Sequence, residues 1–74
     1  MSTRKGTGRL FWHVREKKGY TLRALAALLG ISKSALSRYE RGERPPGRVV
    51  LNRLLMLSGY ASLAELSQMA LSNH

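Results

Sequence analysis

Apolar residues recur along this chain at helical spacing, in five short blocks, the first four of which end at a glycine. Leu10, Phe11 and Val14 share one stripe of a helix predicted over 8–18, with Trp12 on the opposite side. Lys17 and Lys18 then precede Gly19. Cations suit the negative end of a helix dipole, and glycine suits the left-handed turn beyond it. Thr21 is placed to cap a second helix, in which Leu22, Leu25, Ala26 and Leu29 repeat until Gly30 stops it. Ser32 is placed to cap a third, with Ala35, Leu36 and Tyr39 as its apolar stripe and Gly42 as its end. The segment GERPPG (42–47) reads as a loop, because its proline pair imposes extended geometry and removes two donors. A fourth helix is predicted over 48–57, with Val50, Leu51, Leu54 and Leu55 inward, and Gly59 breaks it. Ser62 with Glu65 three residues on forms a capping box. The box opens a fifth helix that runs through Leu63, Leu66, Met69 and Ala70.

Composition agrees with five helices and no sheet. Of 32 apolar residues, 20 are Leu or Ala, whereas Val, Ile and Thr together number seven. Unbranched side chains and Ala lose little rotamer freedom in a helix. The predicted fold is therefore all-α, a compact five-helix bundle. Seventy-four residues allow one domain. The expected division is a flexible basic arm over 1–8 and a single domain over 9–74, with no internal repeat. Cysteine is absent, and His13 and His74 are too few and too distant for a zinc site, so neither metal nor other cofactor is expected. No apolar run approaches the roughly 20 residues of a membrane span, and no signal-peptide pattern is visible. The cytoplasm is the expected location.

Charge narrows the class of partner. The chain carries 13 Lys and Arg against four acids, a formal +9. Residues 1–53 hold all 13 of the basic residues and three of the acids; beyond them Glu65 is the one acidic residue. A small domain that repels itself this strongly fits a polyanionic partner, nucleic acid first and an anionic membrane second. An enzyme would need convergent titratable groups, and here the acids are scattered. A membrane-surface peptide would need one long amphipathic helix, which the glycines at 19, 30, 42 and 59 interrupt. Single-stranded RNA recognition would need aromatic platforms; five aromatics are present, and only Tyr39 falls in the third helix.

The stretch YTLRALAALLGISKSALSRYER (20–41) carries the most information. Two short helices cross closely only if the first offers a small residue at the crossing, the turn tolerates positive φ, and the second turns aliphatic knobs back. Ala26 meets the first need and Gly30 the second; Ile31, Leu36 and Tyr39 meet the third. An αα-hairpin without a nucleic-acid role would satisfy the same rules. On the outer face of the third helix, Lys33 and Arg38 carry donors suited to guanine O6 and N7, and Ser34 and Ser37 can bond to several bases. Phosphate contact by the two cations, or solvation of the two serines, are the plainer alternatives. Helix N-termini favour phosphate, which brings in Thr21, Arg23 and Ser32. Arg41, Arg44 and Arg48 flank the third helix and the proline loop as further phosphate clamps. Arg4 and Lys5 on the arm could follow a groove. Trp12 and Tyr60 stand outside the pattern, either as interface anchors or as fillers of a small core.

With Gly19, Thr21, Leu25, Ala26, Gly30, Ile31, Ser32, Leu36, Ser37, Glu40, Gly42 and Pro45 in place, the chain resembles the lambda-Cro and phage-repressor (XRE-like) helix-turn-helix family over about residues 9–70. The resemblance implies that the third helix, 32–41, enters the major groove of double-stranded DNA. It also implies that dimers read two-fold symmetric operators, and that Lys33, Ser34, Ser37 and Arg38 match the positions through which members touch bases. A transcriptional regulator, most simply a repressor acting by occlusion of polymerase, is the function implied. An antitoxin regulating its own operon is the alternative. Members often place a Gln just after the capping Thr to bond a phosphate; Leu22 stands there instead. Members also pair the Glu matching Glu40 with an Arg of the first helix, which falls on Arg15. A homodimer through the C-terminal helices is expected, because residues 54–74 are Leu-rich and nearly uncharged. No small-molecule ligand is expected.

Overall fold

The computed structural model describes residues 7–72. Their helices are α1 (Gly8–Lys18), α2 (Leu22–Leu29), α3 (Lys33–Glu40), α4 (Arg48–Ser58) and α5 (Leu63–Ser72), with no strand among the described residues. The predicted helices match these within a residue or two. Residues 1–6 of the arm expected over 1–8 lie outside the described residues, and Gly8 belongs to the folded body: it is the first residue of α1 and is buried.

The start of α1 abuts the end of α3. A Cβ added at Gly8 would lie 2.7 Å from the carbonyl oxygen of Glu40 and 2.8 Å from that of Tyr39, so the approach needs a residue without a side chain. Phe11 then stacks on Tyr39 with ring centroids 5.5 Å apart. From this base α1 packs along α3, α4 and α5, while α2 packs against α3 and α4. The core lies between them. Phe11, Val14, Leu25, Leu29, Leu36, Leu54 and Leu66 have no exposed surface, and Leu10, Ala26, Tyr39 and Ala70 complete the cluster. Each fully buried large side chain contributes about 1.5–3 kcal/mol relative to exposure.

The α2–α3 turn is closed by hydrogen bonds at the end of α2. Gly30 adopts φ +73°, its N–H donates to the Ala27 carbonyl, and the Ile31 N–H donates to that of Ala26. Arg53 of α4 adds a third bond, its Nη1 donating to the Leu29 carbonyl at 2.8 Å. Three orphan carbonyls at the end of α2 are thereby satisfied. Nothing in the linear pattern marked Arg53 for this role.

Along α5, Leu63 and Met69 are 39% and 41% exposed. α5 meets only α1 and α4 closely, and Leu66 and Ala70, one turn apart, fill that narrow seam. In the capping box the Ser62 hydroxyl accepts from the Glu65 N–H at 3.1 Å as expected. In the return bond the Glu65 carboxylate accepts from the Ala61 N–H at 2.8 Å, one residue earlier than the box requires.

A polar knot ties α1 to the corner between α4 and α5. Ser58 is fully buried; its hydroxyl donates to the Leu55 carbonyl and accepts from the Tyr60 N–H. Lys17 Nζ donates to the Ser58 carbonyl at 3.1 Å and stands 3.9 Å above the Tyr60 ring. Buried His13 stacks on the same ring, with Nε2 3.1 Å from the Tyr60 hydroxyl. Burial, and secondarily the Lys17 charge, hold the His13 pKa below its ordinary value. Tyr60 is thus a structural residue. Trp12 is part-buried. No single helix among the described residues is long and apolar enough to cross a membrane; α4 and α5 reach that only together, with a bend of 72° between them.

Candidate nucleic-acid interface

Because α1 and α2 hold α3 from behind, its other face stays open. Ser32 sets the start of α3: its backbone is extended and its hydroxyl accepts from the Ala35 N–H at 3.0 Å. Leu36 and Tyr39 then point into the core, with Ile31 and Ala35 packed against it. The 100° step per residue carries Lys33, Ser34 and Arg38 outward, where all three are exposed. They line an open groove of about 290 Å³ together with Ser37, Arg41 and Leu22. All four residues predicted to touch bases therefore share one surface.

Two other members of the groove came out of the sequence differently. Leu22, noted only as a departure from Gln, lies in the groove wall at the start of α2. Arg41, predicted as a phosphate clamp, lies in the groove wall with the base-reading candidates. Its guanidinium is held on two sides. Nε and Nη2 donate to the two carboxylate oxygens of Glu43 at 2.9 and 3.2 Å, and Nη1 donates to the Ser37 hydroxyl at 2.6 Å. Hydrogen bonding from Arg41 holds the Glu43 carboxyl below the usual carboxylate range, and the same bonding raises the Arg41 pKa. Glu43 was missed as a functional candidate. The i, i+4 spacing of Ser37 and Arg41 signalled only their own contact; nothing in the spacing marked Glu43.

Of the predicted phosphate contacts, Thr21 and Ser32 directly precede the groove residues Leu22 and Lys33. Thr21 caps α2, its hydroxyl accepting from the Ala24 N–H at 3.0 Å. A hydroxyl that accepts a capping bond keeps its own hydrogen for another partner, which holds for Ser32 too. Arg23, Arg44 and Arg48 are exposed, on α2, the proline loop and the first turn of α4. The Arg44 guanidinium lies 6.0 Å over the Tyr39 ring.

Glu40 would carry an unwanted negative charge toward a polyanion if it stood free. Instead it is buried, and Arg15 of α1 holds both its oxygens. Among the described residues no cluster of His, Cys, Asp and Glu could hold a metal ion.

Similarity to other proteins agrees with this geometry. Curated relatives from Thermococcus kodakarensis and Pyrococcus abyssi, described as candidate HTH-type transcriptional regulatory proteins, are 51% identical over 37 residues and 47% identical over 36. Those matches cover 50% and 49% of this chain but only 12% and 11% of the relatives' lengths. The crystal structure of the clp gene regulator ClgR from C. glutamicum superposes with a TM-score of 0.76 at 30% identity, covering 97% of this chain and 91% of that one. The profile of the helix-turn-helix domain family, an XRE-like group, matches residues 8–69, and the chain belongs to that family.

Proposed function

We propose that this chain is a sequence-specific, double-stranded DNA-binding transcriptional regulator, acting as a repressor on a two-fold symmetric operator with α3 in the major groove. The observation that carries the reading is the grouping of Lys33, Ser34, Ser37 and Arg38 on one open face of α3, while Leu36 and Tyr39 anchor its other face. Lys33 and Arg38 donate to guanine edges, and Ser34 and Ser37 add hydroxyl contacts. Thr21, Arg23, Ser32, Arg44 and Arg48 contact the flanking phosphates and fix the register. The names of the archaeal relatives and of the ClgR structure support a regulatory role.

Two copies reading half-sites about 34 Å apart, one turn of duplex, form the working unit. The C-terminal helices supply the contact between them. Met56 on α4 and Leu63, Met69 and Leu71 on α5 are exposed, Met56 by 81%. Sedimentation at increasing concentration reports this directly, and a monomer at high micromolar protein would reject it.

Selection of bound duplexes from a random pool is the test of function. An enriched inverted repeat is the expected result. Lys33→Ala and Arg38→Ala should each relax preference at one base pair of each half-site. Recovery of an unenriched pool would reject sequence-specific DNA binding.

A further inference from the structure

The geometry points to Arg41 as a guanine-reading residue of the groove, held in its reading position by Glu43 and Ser37. The inference rests on the DNA-binding role proposed above and assigns to that surface one more base contact and the two residues that orient it.

Arg41 is the C-cap of α3, the end of such a helix usually farthest from base edges. Its side chain overcomes that position. Helical side chains lean toward the N-terminus, and Arg41 runs back over one turn to reach Ser37, four residues earlier. That brings its guanidinium into the groove wall with Lys33, Ser34 and Arg38. Arginine grips phosphate through paired donors as well, so what favours a base here is the place of Arg41 in the groove wall beside Lys33, Ser34 and Arg38. Here three hydrogen bonds fix both the place and the plane of the group.

Donor counting shows what Arg41 has left to offer a base. A guanidinium has five N–H groups. Nε and one hydrogen of Nη2 go to Glu43, and one hydrogen of Nη1 goes to Ser37. One N–H remains on each terminal nitrogen. Two donors from one rigid planar fork fit the paired acceptors O6 and N7 of guanine, the arrangement by which Arg reads that base. The Glu43 side chain is 55% exposed and its one hydrogen-bonded cation among the described residues is Arg41, with the Arg38 charge a lesser influence; a surface pair of this kind adds little to stability. A negative charge beside a DNA-binding groove costs general affinity, so its use here is to aim Arg41. Ser37 changes role accordingly, from a direct base contact to a positioning residue whose hydroxyl accepts from Arg41.

The experiment compares wild type, Glu43→Gln and Arg41→Lys on the duplex selected by wild type, on its single-base-pair variants and on a scrambled duplex. Melting temperatures close to wild type are expected for both variants, because both side chains are more than half exposed. Wild type should lose about 10-fold in affinity when one particular guanine is replaced. Glu43→Gln and Arg41→Lys should bind that guanine and its replacement within about 2-fold of each other. Both should bind the scrambled duplex at least as tightly as wild type. Glu43→Gln tightening every duplex in parallel, with base preference intact, would make Glu43 a mere repelling charge and overturn the inference. Arg41→Lys retaining the preference would make Arg41 a phosphate contact and overturn it equally. A wild-type protein without any preferred duplex would instead overturn the function on which the inference rests.

Discussion

Arg15 and Glu40, 25 positions apart, meet through two parallel hydrogen bonds, Nε to Oε2 at 2.9 Å and Nη2 to Oε1 at 3.0 Å. The Glu40 side chain is 6% exposed and that of Arg15 24%. The pair pins the last turn of α3 to α1, beside the place where Gly8 abuts the same turn. Breaking it from one side leaves a buried carboxylate without its cation. Arg15→Ala should therefore cost about 3 kcal/mol, the low end for a buried pair because Arg15 keeps some contact with water. In a domain of this size that lowers the melting temperature by roughly 12 °C or more. The double variant Arg15→Met, Glu40→Leu should recover most of the loss. Thermal melts of Arg15→Met, Glu40→Leu and the double variant check this, and additive losses would reject the coupling.

Gly8→Ala offers a test with opposite signs. In an open helix this change stabilises by roughly 0.5–1 kcal/mol, because Ala has the better helix propensity. At Gly8 the new Cβ meets two backbone oxygens of α3 at 2.7 and 2.8 Å. Neither can swing away as a side-chain tip could. A loss of about 1–3 kcal/mol is expected, the usual range for overpacking. A higher urea midpoint than wild type would show that α1 and α3 do not approach in this way.

Much of the scaffold was legible because its signals are local. Thr21 and Ser32 are capping residues by chemistry, and glycines at 19, 30 and 59 stop helices by their backbone freedom. The Arg15–Glu40 pair followed from a family resemblance. Contacts between distant elements were not legible. No spacing rule connects Arg53 to the end of α2, or His13 and Lys17 to Tyr60, since each depends on how α4 and the α4–α5 corner settle on their neighbours. The exposure of Leu63 and Met69 was not legible for a related reason: periodicity shows an apolar stripe but not how wide a seam the neighbours leave for it. At the groove, the outward face of α3 followed from the helix period. The direction of Arg41 did not, because the position of Glu43 depends on the turn after Gly42.

The His13 knot gives the fold a dependence on pH. Burial first, and the Lys17 charge second, hold the folded-state pKa of His13 below its ordinary value of about 6.5. The unfolded chain therefore takes up a proton at higher pH than the folded one. Stability from this group is fully present above about pH 6.5 and is lost as pH falls from there through the folded pKa. The urea midpoint should drop between pH 7.5 and pH 5, and His13→Gln should flatten that drop. An unchanged slope in His13→Gln would assign the dependence to other groups. Glu43, whose pKa is also lowered, loses its pair with Arg41 only at more acidic pH, below the carboxylate range.

Charge reversal of roles between arginines separates reading from holding. Arg38 lies in the groove wall, whereas Arg44 sits on the proline loop beside the ring of Tyr39. Arg38→Ala should cost about 1–3 kcal/mol on the selected duplex and relax preference at one base position. Arg44→Ala should weaken all duplexes alike, and it should reduce the slope of log affinity against log salt by about 1, since one counterion fewer is released. Titrations at several salt concentrations, on selected and scrambled duplexes, distinguish the two patterns. Equal weakening of both duplexes by Arg38→Ala would move Arg38 from the base edges to the phosphates. A salt slope unchanged in Arg44→Ala would remove Arg44 from the interface.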